Sequence, residues 1–265
     1  MDKSQKKLER LKEILASYKK LLVCYSGGTD STFLLAVARE VLAYDMAGLF
    51  FSSVLIAEHE KHDIHMLAQE MKTKLHVVEN DIFDITEILS NPENRCAICK
   101  NAMMTKAIDT AAELGFEFIA EASTIQKDGS LRPEMTLLKE FDIKSPLIAV
   151  GFTRSEIFHL SHELGYARWI KPHYSCLLTR FPIGEEITPE KLKRVEIIEE
   201  FMWQLGFYSC RIESIGTSIR LLIDIQDAEP FLGEYRATVE KVMRQLGFSH
   251  AQIVVGDTAN AVELY

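Results

Sequence analysis

The chain has 265 residues, of which 47% are hydrophobic and 26% are charged, with 7 prolines and 5 cysteines. This composition excludes a disordered, collagen-like or disulfide-scaffold protein, and the length suits one large core or two smaller ones. The net charge of −9 is uneven, since residues 181–265 carry 8 Lys and Arg against 14 Asp and Glu, whereas an enzyme that acts on nucleic acid normally presents a basic surface.

The N-terminal residues 1–7 lead into a charged amphipathic stretch, and no segment approaches the roughly 18 apolar residues of a membrane span. We therefore expect a cytoplasmic protein with no membrane partner. Five cysteines are an odd number and do not suggest a disulfide framework. In a reducing compartment they serve packing, metal binding or catalysis.

Apolar runs alternate with helical patterns along the first half of the chain. The pattern predicts strands at 21–25, 46–55 and 75–78, each followed by a helix, the first near 30–43 and the second ending near Lys72. Further strands are predicted at 116–120 and near 145–149. Such alternation favours βαβ units, an α/β fold and a parallel sheet.

The pattern changes after residues 181–184. A long helix is predicted from about Pro189 to Leu205, followed by strands at 209–214 and 218–225, another helix and a last strand at 251–255. We place a domain boundary near residue 185, with a catalytic domain at 1–185 and a small α+β domain at 186–265 for substrate or oligomer contacts. A homo-oligomer is expected. Four predicted helices end on Leu-Gly followed by an aromatic residue, at 114–116, 164–166, 205–207 and 246–248, where glycine tolerates a left-handed cap.

The strongest single signal is a glycine loop between the first strand and the first following helix. It consists of Ser26, Gly27, Gly28, Thr29, Asp30, Ser31 and Thr32. Paired glycines let consecutive amides turn inward on an anion, and the helix N-terminus adds positive potential, so a pyrophosphate ligand is predicted. The hydroxyls can donate to phosphate, and Asp30 can hold Mg²⁺. A glycine turn capped by Asp30 or Ser31 is the purely structural alternative. No Walker-A lysine follows, which disfavours γ-phosphoryl transfer.

The loop resembles that of the PP-loop ATP pyrophosphatase superfamily, whose fold is similar to that of the adenine nucleotide alpha hydrolases. This resemblance implies ATP cleavage between the α and β phosphates, with AMP and pyrophosphate as products.

Three cysteines lie in polar surroundings. Cys96 and Cys99 form a Cys-x-x-Cys pair at a helix start, where amide dipoles, Arg95 and Lys100 favour thiolates. Cys176 lies in a proline-punctuated loop. Three thiolates suit a 4Fe-4S cluster with one open iron, but a redox dithiol, or half of a zinc site completed by His173, is also consistent with the pair. Cys24 and Cys210 are predicted to serve packing.

Three motifs together resemble the LarE family of ATP-dependent sulfur transferases over most of the chain. They are the glycine loop, the RCxxCK segment at 95–100 and the run KPxxSCLxTRFPxGxxIT at 171–188; supporting matches lie at 132–133, 144–147, 153–157 and 160–165. The resemblance implies conversion of pyridinium biscarboxylic acid mononucleotide to its bis-thiocarboxylate for the nickel-pincer nucleotide. It also implies that members with only the cysteine matching Cys176 sacrifice its sulfur, whereas three-cysteine members hold a 4Fe-4S cluster and turn over repeatedly.

The chain departs from the family pattern at three places. Residues 121–124 read Glu-Ala-Ser-Thr where the family has Asp-Gly-Thr-Asn, Glu213 stands where an arginine is expected, and the end at 256–260 differs. A divergent substrate is consistent with these changes.

The predicted reaction is formation of an acyl-adenylate, followed by attack of a sulfur nucleophile, with Asp30 and Cys176 as catalytic residues. Arg180 and Arg211 are candidates for binding substrate anions, although each can also be a surface ion pair. Glu199 matches a family position for metal or substrate, although a solvated helix face is the alternative. Rival functions are a tRNA thiolase, disfavoured by the acidic second domain, and a nucleotide-sensing module with structural zinc.

Overall fold

The computed structural model describes residues 3–126, 138, 140–167 and 175–256. The chain divides into two compact units, each described by itself: residues 1–53, 60–80 and 96–173 form the first, and residues 54–59, 81–95 and 174–265 form the second. The predicted boundary near residue 185 falls inside the second unit. Backbone hydrogen bonds explain this, because Gly184 N–H donates to Asn91 O and Ile187 N–H donates to Leu89 O.

The first unit is built on a four-stranded parallel sheet in the order β3-β2-β1-β4. The elements in chain order are α1 (Lys3–Ala16), β1 (Leu21–Cys24), α2 (Thr29–Leu42), β2 (Met46–Ser52), α3 (Glu58–Glu70), β3 (Leu75–Glu79), α4 (Arg95–Leu114), β4 (Phe118–Ala120), α5 (Pro146–Val150) and α6 (Arg154–Glu163). Two 3-10 helices, Ile82–Asp84 and Thr86–Ser90, precede α4 in the chain and belong to the second unit. The α/β fold and parallel sheet predicted from the sequence are confirmed.

The central strand explains why the sheet forms here. Leu21, Leu22 and Val23 of β1 have no exposed surface, as expected for a parallel strand covered on both faces. Leu22 belongs to a core cluster in which side chains of β2 and β4 pack with Met104, Ala107 and other α4 residues. Burial of this apolar surface is the main stabilising term of the unit.

The strand predicted near 145–149 is wrong. Ser145 is the N-cap of the short helix α5, and Pro146 occupies its first turn, where a missing N–H costs nothing. Next to this helix, Lys144 forms an isolated parallel bridge with Ala120. A short apolar run does not distinguish a strand from a helix by periodicity.

The second unit contains a three-stranded mixed sheet in the order β5-β6-β7. Its elements are a 3-10 helix (Leu177–Arg180), α7 (Pro189–Gln204), β5 (Arg211–Ile215), β6 (Ser218–Ile223), a 3-10 turn (Ile225–Asp227), α8 (Ala228–Pro230), a π-helical turn (Phe231–Tyr235), α9 (Arg236–Gln245) and β7 (His250–Val255). Strands β5 and β6 are antiparallel, while β6 and β7 are parallel and joined through the helical segment. The small α+β character predicted for this part of the chain is confirmed.

The four Leu-Gly-aromatic segments end α4, α6, α7 and α9 as predicted. Their glycines all have positive φ, between 75° and 91°. In each segment the aromatic N–H donates to the carbonyl five residues earlier, with N···O distances of 2.7–3.1 Å. This is the bond of a Schellman cap. Within the described part of the chain, no helix combines the length and apolarity needed to cross a membrane.

Candidate active site

The glycine loop connects β1 to α2 through a turn that only glycine fits. Gly27 has a φ of 75°, a region that an L side chain enters only at a cost. A Cβ built on Gly27 would lie 2.4 Å from Cγ1 of Ile64, which is buried in α3. Conformation and packing therefore both require glycine here, and the main chain passes close against α3.

The hydroxyls of the loop hold its shape. Ser31 Oγ donates to Gly28 O at 3.0 Å and lies 3.1 Å from Ser26 Oγ. Ser31 and Thr32 are buried, whereas Ser26 and Gly28 are exposed. The exposed half of the loop thus faces solvent at the carboxyl end of β1, where parallel sheets bind their ligands.

The first turn of α2 is arranged for an anion. Its N-cap is Gly28, which has no side chain to cap the helix, so the structural alternative of an Asp30 or Ser31 N-cap does not describe this turn. The amides of the turn add to the positive potential of the helix N-terminus. Asp30 is half-buried in the same turn and offers a hard carboxylate oxygen of the kind that Mg²⁺ prefers.

Tyr25 directly precedes the glycine loop in the chain. Its side chain is almost fully buried, and burial raises its pKa to about 12. The hydroxyl therefore stays protonated at neutral pH and can act only as a neutral hydrogen-bonding group.

Glu121, at the carboxyl end of β4, organises a polar cluster that sequence reasoning missed. Glu121 is buried; its Oε1 accepts from Ser145 Oγ at 2.6 Å and its Oε2 accepts from Ser123 N–H at 3.1 Å. Lys100 Nζ lies 3.7 Å from Oε2. The altered 121–124 segment therefore supplies one buried carboxylate satisfied by two serines and one lysine.

The five cysteines all lie among the described residues, and none of them forms a disulfide. Cys96 and Cys99 occupy the first turn of α4, with Cys96 exposed and Cys99 half-buried. Burial raises the pKa of Cys24 to about 12 and raises that of Cys210 further. The thiols of Cys24 and Cys210 are therefore protonated at neutral pH, as expected for packing residues.

Cys176 lies in the second unit, just before the 3-10 helix Leu177–Arg180. It is half-buried with an extended backbone, and its carbonyl accepts from Thr179 Oγ1 at 2.8 Å. Within each unit, the described residues contain no group of three or more His, Cys, Asp and Glu side chains that could hold a metal ion. The convergence of the three cysteines on one cluster stays a prediction.

Arg180 is buried in a dense polar network. Its guanidinium makes a bidentate contact with Glu199 at 2.6 and 3.2 Å, and its Nη1 donates to Ser175 Oγ at 2.6 Å and Thr179 Oγ1 at 2.8 Å. The side chains of Arg180 and Glu199 are only 5% and 10% exposed. A surface ion pair at Arg180 and a solvated helix face at Glu199 are therefore excluded.

Arg211, the first residue of β5, donates hydrogen bonds to the same two residues, Ser175 and Thr179. Its Nη1 donates to Ser175 Oγ at 3.3 Å and its Nη2 to Thr179 O at 3.0 Å. Two buried guanidinium groups thus hold the residues on either side of Cys176. Ser175 and Thr179 were not singled out from the sequence; their i, i+4 spacing around Cys176 was the available signal.

Glu213 explains one departure from the family pattern. It lies opposite Arg220 in the β5–β6 register, and the two form a salt bridge. An arginine at 213 would face Arg220 and repel it, so the charge reversal at 213 is matched to its cross-strand neighbour.

Several sequence-predicted residues lie outside the described part of the chain. They are His173, the first residues of the motif at 171–174, the match at 132–133, and residues 257–260.

No protein-family model matches the chain. An uncharacterized protein of Synechocystis sp. is 30% identical over 228 residues, which cover 86% of this chain and 85% of that protein. The pyridinium-3,5-bisthiocarboxylic acid mononucleotide synthase of Lactiplantibacillus plantarum is 25% identical over 246 residues, or 91% of this chain and 88% of the synthase. A tRNA-cytidine(32) 2-sulfurtransferase of Marinomonas sp. is 28% identical over 134 residues, or 45% of this chain and 47% of that enzyme.

The sheet, its glycine loop and these relatives define the class of the protein, which is an ATP-dependent sulfur transferase. The chain belongs to the PP-loop ATP pyrophosphatase family, and its similarity to the Synechocystis and Lactiplantibacillus proteins extends over most of its length.

Proposed function

We propose that the enzyme adenylates a carboxylate of pyridinium-3,5-biscarboxylic acid mononucleotide and converts it to a thiocarboxylate, in the biosynthesis of a nickel-pincer nucleotide. The similarity to the Lactiplantibacillus synthase over 91% of the chain supports this substrate. The observation that supports the proposal is the Ser26 to Thr32 loop, in which a left-handed Gly27 and a side-chain-free cap at Gly28 precede a helix N-terminus, an arrangement that suits phosphate binding by main-chain amides.

The first half-reaction uses residues of the first unit. The substrate carboxylate attacks the α-phosphorus of ATP, the bond to the β-phosphate oxygen breaks, and pyrophosphate leaves. Amides of the loop and the hydroxyls of Ser26 and Thr32 stabilise the charge that develops on the leaving group. Asp30 would hold Mg²⁺, which screens that charge when bound.

The second half-reaction needs a sulfur nucleophile near Cys176. Cys96, Cys99 and Cys176 fit a 4Fe-4S cluster in their chemistry, since all three are thiols outside disulfides and none lies in a strand. When bound, the cluster would supply an iron without a cysteine ligand that carries a sulfide. Attack of sulfur on the adenylated carbonyl carbon then expels AMP and leaves a thiocarboxylate.

The network around Cys176 gives Arg180 and Arg211 a positioning role in addition to substrate binding. Both guanidinium groups donate to Ser175, and Arg180 is itself held by Glu199. Immobilised side chains around a reacting group avoid reorganisation during the reaction. We propose that this network fixes the Cys176 segment, and that residues 186–265 contribute substrate or oligomer contacts in a homo-oligomer.

The test is an anaerobic reconstitution. The protein is purified with iron and sulfide, then incubated with ATP, Mg²⁺, sulfide and the pyridinium biscarboxylic acid mononucleotide. Expected products are AMP, pyrophosphate and a substrate in which sulfur has replaced oxygen, detected by mass spectrometry. Cys96→Ala, Cys99→Ala and Cys176→Ala should each lose the cluster absorption and multiple turnover while ATP still binds.

Cys210→Ala is the matched control, because its protonated thiol should affect neither property. A single turnover that leaves dehydroalanine at Cys176 would replace the cluster mechanism with a sacrificial cysteine. Thiolation of tRNA, but not of the mononucleotide, would overturn the substrate assignment in favour of a tRNA thiolase.

A further inference from the structure

Arg95, the first residue of α4, is a buried cation, and part of its guanidinium group has no hydrogen-bonding partner among the described residues. It is only 5% exposed. Its Nε and Nη1 atoms have no hydrogen-bond partner among the described residues. A guanidinium removed from water without a partner carries a desolvation cost that native proteins normally avoid.

The second unit, to which Arg95 belongs, contains two other buried arginines, and both donate hydrogen bonds to groups of the protein. Arg180 and Arg211 are as deeply buried as Arg95, yet Arg180 is paired with Glu199, and both arginines donate to Ser175. Arg95 lacks such an arrangement for two of its three guanidinium nitrogens. The contrast indicates that its partner is not part of the described protein.

The surroundings of Arg95 favour an anion as that partner. Helix α4 has 20 residues and carries no acidic residue in its first turn, whereas α2 has Asp30 and α6 has Glu156 in theirs. The N-terminal amides of a long helix add positive potential. A guanidinium carries N–H groups that point in fixed directions and suit phosphate or carboxylate oxygens, and Nε and Nη1 of Arg95 each offer such a donor.

Arg95 is also tied to the Cys176 segment through its own unit. Its N–H donates to Pro92 O, and the neighbouring Asn91 Nδ2 donates to Phe181 O at 3.1 Å and Pro182 O at 2.8 Å. Phe181 directly follows Arg180 in the chain. The segment that carries Arg95 is therefore bound to the segment that carries Arg180 and Cys176.

We propose that Arg95 is a phosphate-binding residue of the reaction, which donates a hydrogen bond from Nε or Nη1 to a phosphate group. The inference rests on the proposed function only for the source of that phosphate, which is either the mononucleotide substrate or the AMP and pyrophosphate derived from ATP. Arg95 thus adds a third arginine to the candidates for substrate anions.

The test compares Arg95→Met with wild type in the full-length protein. Methionine retains the apolar stem and removes the charge. Without ligand, the variant should melt at the same temperature as wild type or higher, because an unpaired buried cation has been removed. In calorimetric titrations with inorganic phosphate, the number of phosphates bound should fall by one per chain, leaving binding at the glycine loop.

Arg154→Met is the matched control, since Arg154 is also the first residue of a helix but is exposed. It should change neither property. A lower melting temperature, or failure to fold, for Arg95→Met would overturn the inference, because loss of an unpaired cation does not destabilise. An unchanged phosphate stoichiometry would overturn it as well.

Further measurements distinguish a failure of this inference from a failure of the proposed function. Competition with AMP or pyrophosphate identifies an ATP-derived phosphate, and competition with the pyridinium mononucleotide alone identifies the substrate. Pyrophosphate release from ATP by wild type is measured independently. Its absence would refute the proposed function while the phosphate stoichiometry still reports on Arg95.

Discussion

Replacement of Gly27 by alanine tests whether the main-chain turn of the glycine loop is built as described. The change places a Cβ in a left-handed backbone with φ of 75°, which costs about 1–2 kcal/mol for an L residue. The same Cβ would lie 2.4 Å from Ile64 Cγ1, and overpacking of this kind costs about 1–3 kcal/mol. Gly27→Ala should therefore lower the free energy of unfolding by about 2–5 kcal/mol.

A second substitution separates the two causes. Ile64→Ala removes the clashing Cγ1 and alone should cost about 2–5 kcal/mol, because Ile64 is buried. The double variant should be more stable than the sum of the two effects predicts, by about 1–3 kcal/mol, while the backbone cost at Gly27 remains.

Urea unfolding of the four proteins measures this coupling. Gly28→Ala is the control, since its new Cβ would meet only Ser26 Oγ at an ordinary 3.5 Å, and its stability should fall by about 1 kcal/mol or less. The packing argument fails if Gly27→Ala and Gly28→Ala are equally stable, or if Ile64→Ala gives no relief.

Three other predictions follow from the described sites. Asp30→Asn should keep the fold but slow pyrophosphate release by about 100-fold or more, because a transition-state charge contact is lost; near-normal release excludes the role. Iodoacetamide at pH 8 should label exposed Cys96 rapidly and Cys24 slowly, because the raised pKa of Cys24, about 12, leaves little thiolate; equal rates by mass spectrometry contradict this. Glu199→Gln should destabilise the protein by about 3 kcal/mol in urea, since buried Arg180 loses its counter-charge, and a change within 0.5 kcal/mol would refute it.

The glycine loop was predictable because its signals are local. A strand, two glycines and a helix start follow each other within a dozen residues, and the left-handed Gly27 and the start of α2 at Thr29 match that prediction. The Schellman caps were predictable for the same reason, since glycine conformation depends on its own backbone.

The strand predicted near 145–149 is an example of a feature that local sequence signals do not determine. Its apolar run suits a strand or a helix, and the choice depended on tertiary packing: Lys144 bridges Ala120, while the run itself forms a short helix. The sequence likewise contains no sign that Glu199 would pair with Arg180, because their contact depends on how α7 packs against the 3-10 helix.

The sequence by itself determined the alternation of strands and helices, the anion-binding loop and the identity of the candidate cysteines, because these depend on neighbouring residues and on burial periodicity. Tertiary structure alone decided that the carboxylate of Glu121 is buried and hydrogen-bonded, that Glu213 is matched to Arg220, and that two guanidinium nitrogens of Arg95 are buried with no hydrogen-bonding partner among the described residues. Such features depend on register and packing between segments far apart in the chain, where the cost of burying a charge is set by whichever groups the fold brings beside it.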